Sequence, residues 1–66
     1  MSVEANEACR RLIEAIDADH ARLVRVELAS LNLCRANGEQ PDANLVGELV
    51  LAIGRAQARR LVEHQP

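Results

Sequence analysis

An all-α fold follows from three observations. Between Asn6 and Ala36 the chain contains neither glycine nor proline. Over that stretch the apolar residues recur at spacings of three, four and seven, the period of a helix face, and do not alternate as in a strand. The breaking residues gather instead in one short run, Asn37-Gly38-Glu39-Gln40-Pro41, before a second apolar stretch. The pattern predicts one domain over residues 1–66: an antiparallel helical hairpin with helices at about 3–36 and 41–62. The interhelical turn falls at 37–40, and residues 1–5 and 64–66 are expected to fray.

In the first helix, Ser2 or Asn6 supplies an N-cap, with Glu4 and Glu7 near the positive end of the dipole. Its main stripe is Cys9, Leu12, Ile16, Leu23, Val26 and Leu33, flanked by Ile13, Val24, Leu28 and Leu31. Glu7 with Arg11 and Asp19 with Arg22 are spaced for weak surface pairs. Such a helix is about 45 Å long, more than a small isolated globule needs. At the break, Asn37-Gly38 offers a residue able to take positive φ, and Pro41 suits the first turn of the next helix, with Asp42 beside it.

The second helix carries the stretch around which the chain is organised, Leu45 to Gly54, whose one charge is Glu48. Leu45, Leu49, Ala52, Ile53 and Ala56 form one stripe, widened by Val46 and Val50. Gly47, Leu51, Gly54 and Ala58 form a second surface on another side, with Leu61 and Val62 loosely attached, and the two glycines leave room for close approach of another backbone. A helix apolar on two sides needs neighbours on both.

Two helices alone enclose no core, and a domain of this size is marginal without a staple. Cys9 and Cys34 lie on one expected helix, more than about 35 Å apart, so they cannot bridge within it. Free thiols in a reducing cytosol fit this spacing better, with a bridge between two subunits as the alternative, and oligomerisation remains as the route to stability. The expected assembly is a homodimer, two hairpins forming a four-helix bundle. The interface residues are Leu12, Ile16, Leu23, Val26, Leu45, Leu49, Ile53, Gly47, Leu51, Gly54 and Ala58.

In length, hairpin layout and central break, this architecture resembles the repressor-of-primer type of plasmid protein, a helical hairpin that dimerises into a four-helix bundle and binds paired RNA loops. No functional motif of that family is matched residue by residue. The aromatic residue and the lysines of its RNA face have no counterparts in a chain without Phe, Tyr, Trp or Lys.

Charge and motif content narrow the function. Eight basic residues, all Arg, stand against ten acidic ones, a net charge of -2, which gives no general attraction to nucleic acid or anionic membrane. The apolar run near residue 50 is too short to span a bilayer. MSVEANEACRR has no apolar segment of the signal-peptide kind. A cytoplasmic location is expected. The basic cluster is Arg55, Arg59 and Arg60, a candidate anion contact that lacks interleaved aromatics or a phosphate-cradling loop.

Ile13, His20, Glu27 and Cys34 follow one another at intervals of seven, but a rise of about 10.5 Å per interval keeps any two from sharing an ion within one chain. They read as polar positions that fix helix pairing. Asp17, Asp19 and Glu14 make an acidic patch without a cleft, Ser30 has no adjacent base, and Arg35 beside Cys34 lowers that thiol's pKa only if the two converge. No catalytic group, cofactor site or metal site is expected. The chain reads as a small non-enzymatic helical protein that binds and regulates another protein, as an adaptor, co-chaperone or inhibitor of a target such as a transcription factor or ATPase. The alternative is an Arg-mediated RNA or DNA regulator on the same dimer.

Overall fold

The computed structural model describes residues 2–64, and they form three helices: α1 Val3–Asp17, α2 Ala21–Ala36 and α3 Ala43–Glu63. No strand occurs among the described residues, and none of their helices is long and apolar enough to cross a membrane. The expected single helix over 3–36 is therefore two helices. The chain reverses once more than the two-helix hairpin allows, and Ala18, Asp19 and His20 make the additional turn.

The physical reason is a helix-ending motif with an unusual residue at its key position. Asp19 takes a left-handed backbone, φ 56°, a conformation that Asp tolerates better than most side chains because its short polar group bonds locally. The His20 N–H then donates to the Ala15 carbonyl at 3.0 Å and the Asp19 N–H to the Ile16 carbonyl at 3.1 Å. These are the two bonds of the Schellman arrangement. The end of α2 repeats it: Gly38 has φ 83°, Glu39 N–H donates to Cys34 at 2.9 Å, and Gly38 N–H donates to Arg35 at 3.0 Å. The second ending was legible from its glycine; the first carries an aspartate in that place.

The N-termini are also defined. Ser2 caps α1, its hydroxyl accepting from Ala5 N–H at 3.3 Å. The turn expected to fray at residues 2–5 is instead held, because Ser2 N–H donates to the Gln40 carbonyl at 3.1 Å and its hydroxyl to Glu39 Oε2, also at 3.1 Å. Asn6, the other cap candidate, accepts from Asp42 N–H at 2.7 Å. Thus the start of α1 is tied to the loop joining α2 and α3. Pro41 lies outside α3, and Asp42 is its N-cap, accepting from Asn44 N–H at 3.3 Å. Residues 1, 65 and 66, parts of the expected fraying ends, lie outside the described residues.

Helix α1 is central. It packs on α2 and on α3, whereas α2 and α3 do not pack on each other. Contacts between residues 11 and 27 set α2 antiparallel to α1, and those between 6 and 42, 9 and 45, and 17 and 55 set α3 parallel to it. The core consists of Ala5, Ala8, Cys9, Leu12 and Ala15 from α1, Leu31 from α2, and Leu45 and Ala52 from α3. Alanines dominate it, and Cys9 is its largest fully buried side chain. Small side chains let helix axes approach closely but bury little apolar area each. The resulting body is narrow, 45 × 23 × 16 Å.

Candidate interaction surfaces

Because α2 and α3 each pack on α1 and not on each other, an open groove runs between them. Ile16 of α1 lines it, with Ala21 and Val24 of α2 and Ile53 and Ala56 of α3; Asp19, Arg25, Gln57 and Arg60 complete its lining. By helical register, Leu28 of α2 and Val46 and Leu49 of α3 lie on the groove-facing sides of their helices nearer the α2–α3 loop, with Val50 at the outer edge of that side. The stripe expected as one core face of the second helix is therefore divided. Leu45 and Ala52 are buried and Leu49 and Ala56 half-buried, while Ile53 is 43% exposed and Val46 and Val50 are exposed.

The second surface lies on the side of α3 turned from the groove. Leu51 is 63% exposed, and Gly47, Gly54, Ala58, Leu61 and Val62 are also exposed. An added Cβ at Gly47 or Gly54 meets nothing within 4 Å. The close approach expected at these glycines is thus not made within the chain.

The stripe expected on the first helix is also divided, by the turn at Asp19. Leu12 is buried and Ile16 half-buried on α1, but Leu23 and Val26 are exposed and Leu33 is 65% exposed. A left-handed residue resets the phase of the following helix. On α2 the face toward α1 becomes Val24, Glu27, Leu31 and Cys34, residues that an uninterrupted helix places beside the stripe. Of the residues expected at an interface, Leu12 and Leu45 are enclosed within the single chain. Ala5, Ala8 and Ala15 are core residues that apolar periodicity passed over, since alanine is common on either side of a helix. The repeat of alanine at 8 and 15, near the same side as Leu12, was the available signal.

The arginine cluster is largely engaged. Arg55 grips Asp17 as a fork, Nε to Oδ1 at 3.2 Å and Nη2 to Oδ2 at 2.9 Å. Arg59 donates to the Ile16 carbonyl at 2.8 Å and the Asp17 carbonyl at 3.2 Å. Both bind at the negative end of α1, because the parallel alignment brings that end level with the second half of α3. These two arginines thus compensate the dipole of the neighbouring helix and not that of their own. Arg60 stands apart from them, at the groove.

The heptad line from Ile13 to Cys34 is interrupted at the Asp19 turn. His20 is exposed before α2 and makes no side-chain capping bond. Glu27 instead accepts from Arg11 Nε at 2.7 Å, which holds α1 to α2 and raises the Arg11 pKa. Arg11 also lies 3.7 Å from Glu7, the expected pair within α1. Among the described residues, no three His, Cys, Asp or Glu side chains converge as metal ligands. Cys9 is buried and its thiol donates to the Leu45 carbonyl at 3.6 Å; burial first, and then the charge of Glu48, push its pKa up. Cys34 is half-buried and also raised, by burial first and then by Glu39, so the lowering considered from Arg35 does not occur.

No protein family, characterised protein or solved structure matches this chain.

Proposed function

We infer that this chain is a small non-enzymatic helical interaction protein of the cytoplasm, acting as a homodimer that binds another protein and regulates it. The observation that carries the reading is the outer face of α3. Leu51, Gly54, Ala58 and Val62 share it in full view of solvent, on a helix whose opposite side already packs on α1. Contiguous apolar surface of this kind marks an interaction site. Its two glycines suit it to a close-packed helix, and helix-on-helix docking is the matching recognition mode.

The alternative, an Arg-mediated RNA or DNA regulator, draws less support. Two of the three arginines it would use, Arg55 and Arg59, already bind Asp17 and the end of α1.

Affinity capture from native cytosol, with and without nuclease, separates the two. On the interaction reading, one protein is retained in stoichiometric amount, survives nuclease and is lost with Leu51→Glu. Retention of nucleic acid alone, or loss of the captured protein after nuclease, moves the site to the arginines and overturns the reading.

A further inference from the structure

We propose that the groove between α2 and α3 is occupied by α3 of a second copy of this chain. The two α3 helices run antiparallel across a two-fold axis beside the turn from Val50 to Ile53. The inference rests on the reading above and names the partner for one of the two surfaces.

Area is the first argument. A compact monomer of 7.2 kDa exposes about 4,100 Å² by the usual scaling of surface with mass, whereas this chain exposes 4861 Å². The surplus of about 750 Å² is close to the roughly 800 Å² that each partner contributes to a standard protein interface. The arrangement adds to it, since α2 and α3 do not pack on each other and the inner flanks of both are left uncovered.

Shape is the second. Helix α3 is both a wall of the groove and a ridge beside it, with Val46, Val50 and Ile53 along its crest. A two-fold operation therefore sets the ridge of each copy into the groove of the other, the self-complementary relation that a closed dimer requires. Each groove then has α1 below it, its own α2 and α3 at the sides and the other copy's α3 above.

Charge supplies the third. One end of the groove carries Arg25 and Arg60 with Asp19. At the other end, the loop that joins the two walls carries Glu39 and Asp42. Antiparallel pairing about Val50 to Ile53 brings Arg60 of each copy level with Asp42 of the other, at 1.5 Å of rise per residue. A parallel pairing instead sets Arg60 against Arg60. The outer face with Leu51 and Gly54 stays free in this dimer, so self-association and capture of another protein do not compete.

Sedimentation equilibrium of the purified full chain tests the proposal, from low micromolar to several hundred micromolar, with helicity followed by circular dichroism. The expected result is a dimer whose dissociation constant rises at least about a hundred-fold with Ile53→Glu or Val50→Glu, each of which buries a charge at the seam, and is unchanged by Leu51→Glu. Both groove positions are exposed in the single chain, so helicity is expected to persist. Loss of helicity together with the dimer in both groove variants, while Leu51→Glu stays folded, is the same result in a chain whose fold depends on the dimer. A monomer throughout the range overturns the proposal, as does a dimer that survives both groove variants or is broken by Leu51→Glu. Purified protein alone is used, so failure here is distinct from failure to capture a partner.

Discussion

The guanidinium of Arg59 donates to the backbone carbonyl of Ile16 at 2.8 Å, across forty-three positions of sequence. The last turn of a helix leaves carbonyls without partners inside it, and here a side chain from a different helix supplies one. This fixes the register of α3 along α1.

Replacing Arg59 by alanine is expected to destabilise the fold by about 1 kcal/mol, the net worth of a charge-assisted bond to a carbonyl after allowance for partial solvent exposure. Arg55→Ala removes a half-exposed pair with Asp17 and is expected to cost less, roughly 0.2–1 kcal/mol. Urea denaturation monitored by circular dichroism gives both values. An Arg55→Ala effect larger than that of Arg59→Ala would contradict the assignment of the carbonyl bond as the principal clamp.

The two left-handed positions respond oppositely to substitution. Asp19→Gly relaxes a side chain from φ 56° and is expected to stabilise by up to about 1 kcal/mol, whereas Asp19→Val destabilises by about 1–2 kcal/mol. Gly38→Ala meets no neighbour within 4 Å, so its cost is conformational, about 1 kcal/mol. Thermal melting of the three variants checks the signs.

Glycine at 47 and 54 lowers helix stability without serving any contact within the chain. Gly47→Ala and Gly54→Ala are each expected to stabilise the isolated protein by about 1 kcal/mol. Both are expected to weaken capture of the other protein, because a methyl group then stands where its backbone approaches. Stability that rises with capture unaltered removes these glycines from the docking face.

The thiols set a limit at alkaline pH. Cys9 and Cys34 both have raised pKa values in the folded chain, relative to 9.0. Folding therefore favours their protonated forms: the associated stability is fully present below pH 9 and is lost as pH rises through the folded values. Denaturant midpoints are expected to fall above about pH 9, and less so in Cys9→Ala once its own loss of packing is subtracted. With a thiol reagent at neutral pH, half-buried Cys34 is expected to react before buried Cys9.

The helical class, the end of α2 at Asn37-Gly38 and the presence of a last helix after the break were legible because each has a strong local signal, although that helix starts at Ala43 and not at Pro41. The turn at Asp19 was not, because Asp-Ala-Asp-His differs little from an ordinary polar helix face. Its left-handed backbone becomes favourable only when α2 can fold back on the alanines of α1. One missed turn then propagates. It rotates Leu31 inward and Leu23 outward, turns one long helix into two, and converts a coreless hairpin into a chain with a thin core of its own. The two apolar sides of the last helix were read from spacing alone, but which side meets α1 is decided by tertiary register.

The central place of α1 also orders the way the molecule comes apart. Helix α2 or α3 can detach while the other remains docked, but α1 is exposed fully only when both have left. Contacts between α1 and α2 close through a turn of three residues and are local, whereas those between α1 and α3 join residues 36 to 43 positions apart and carry the larger closure cost. Backbone amides of α1 are accordingly expected to be the last to exchange with deuterated water in the single chain.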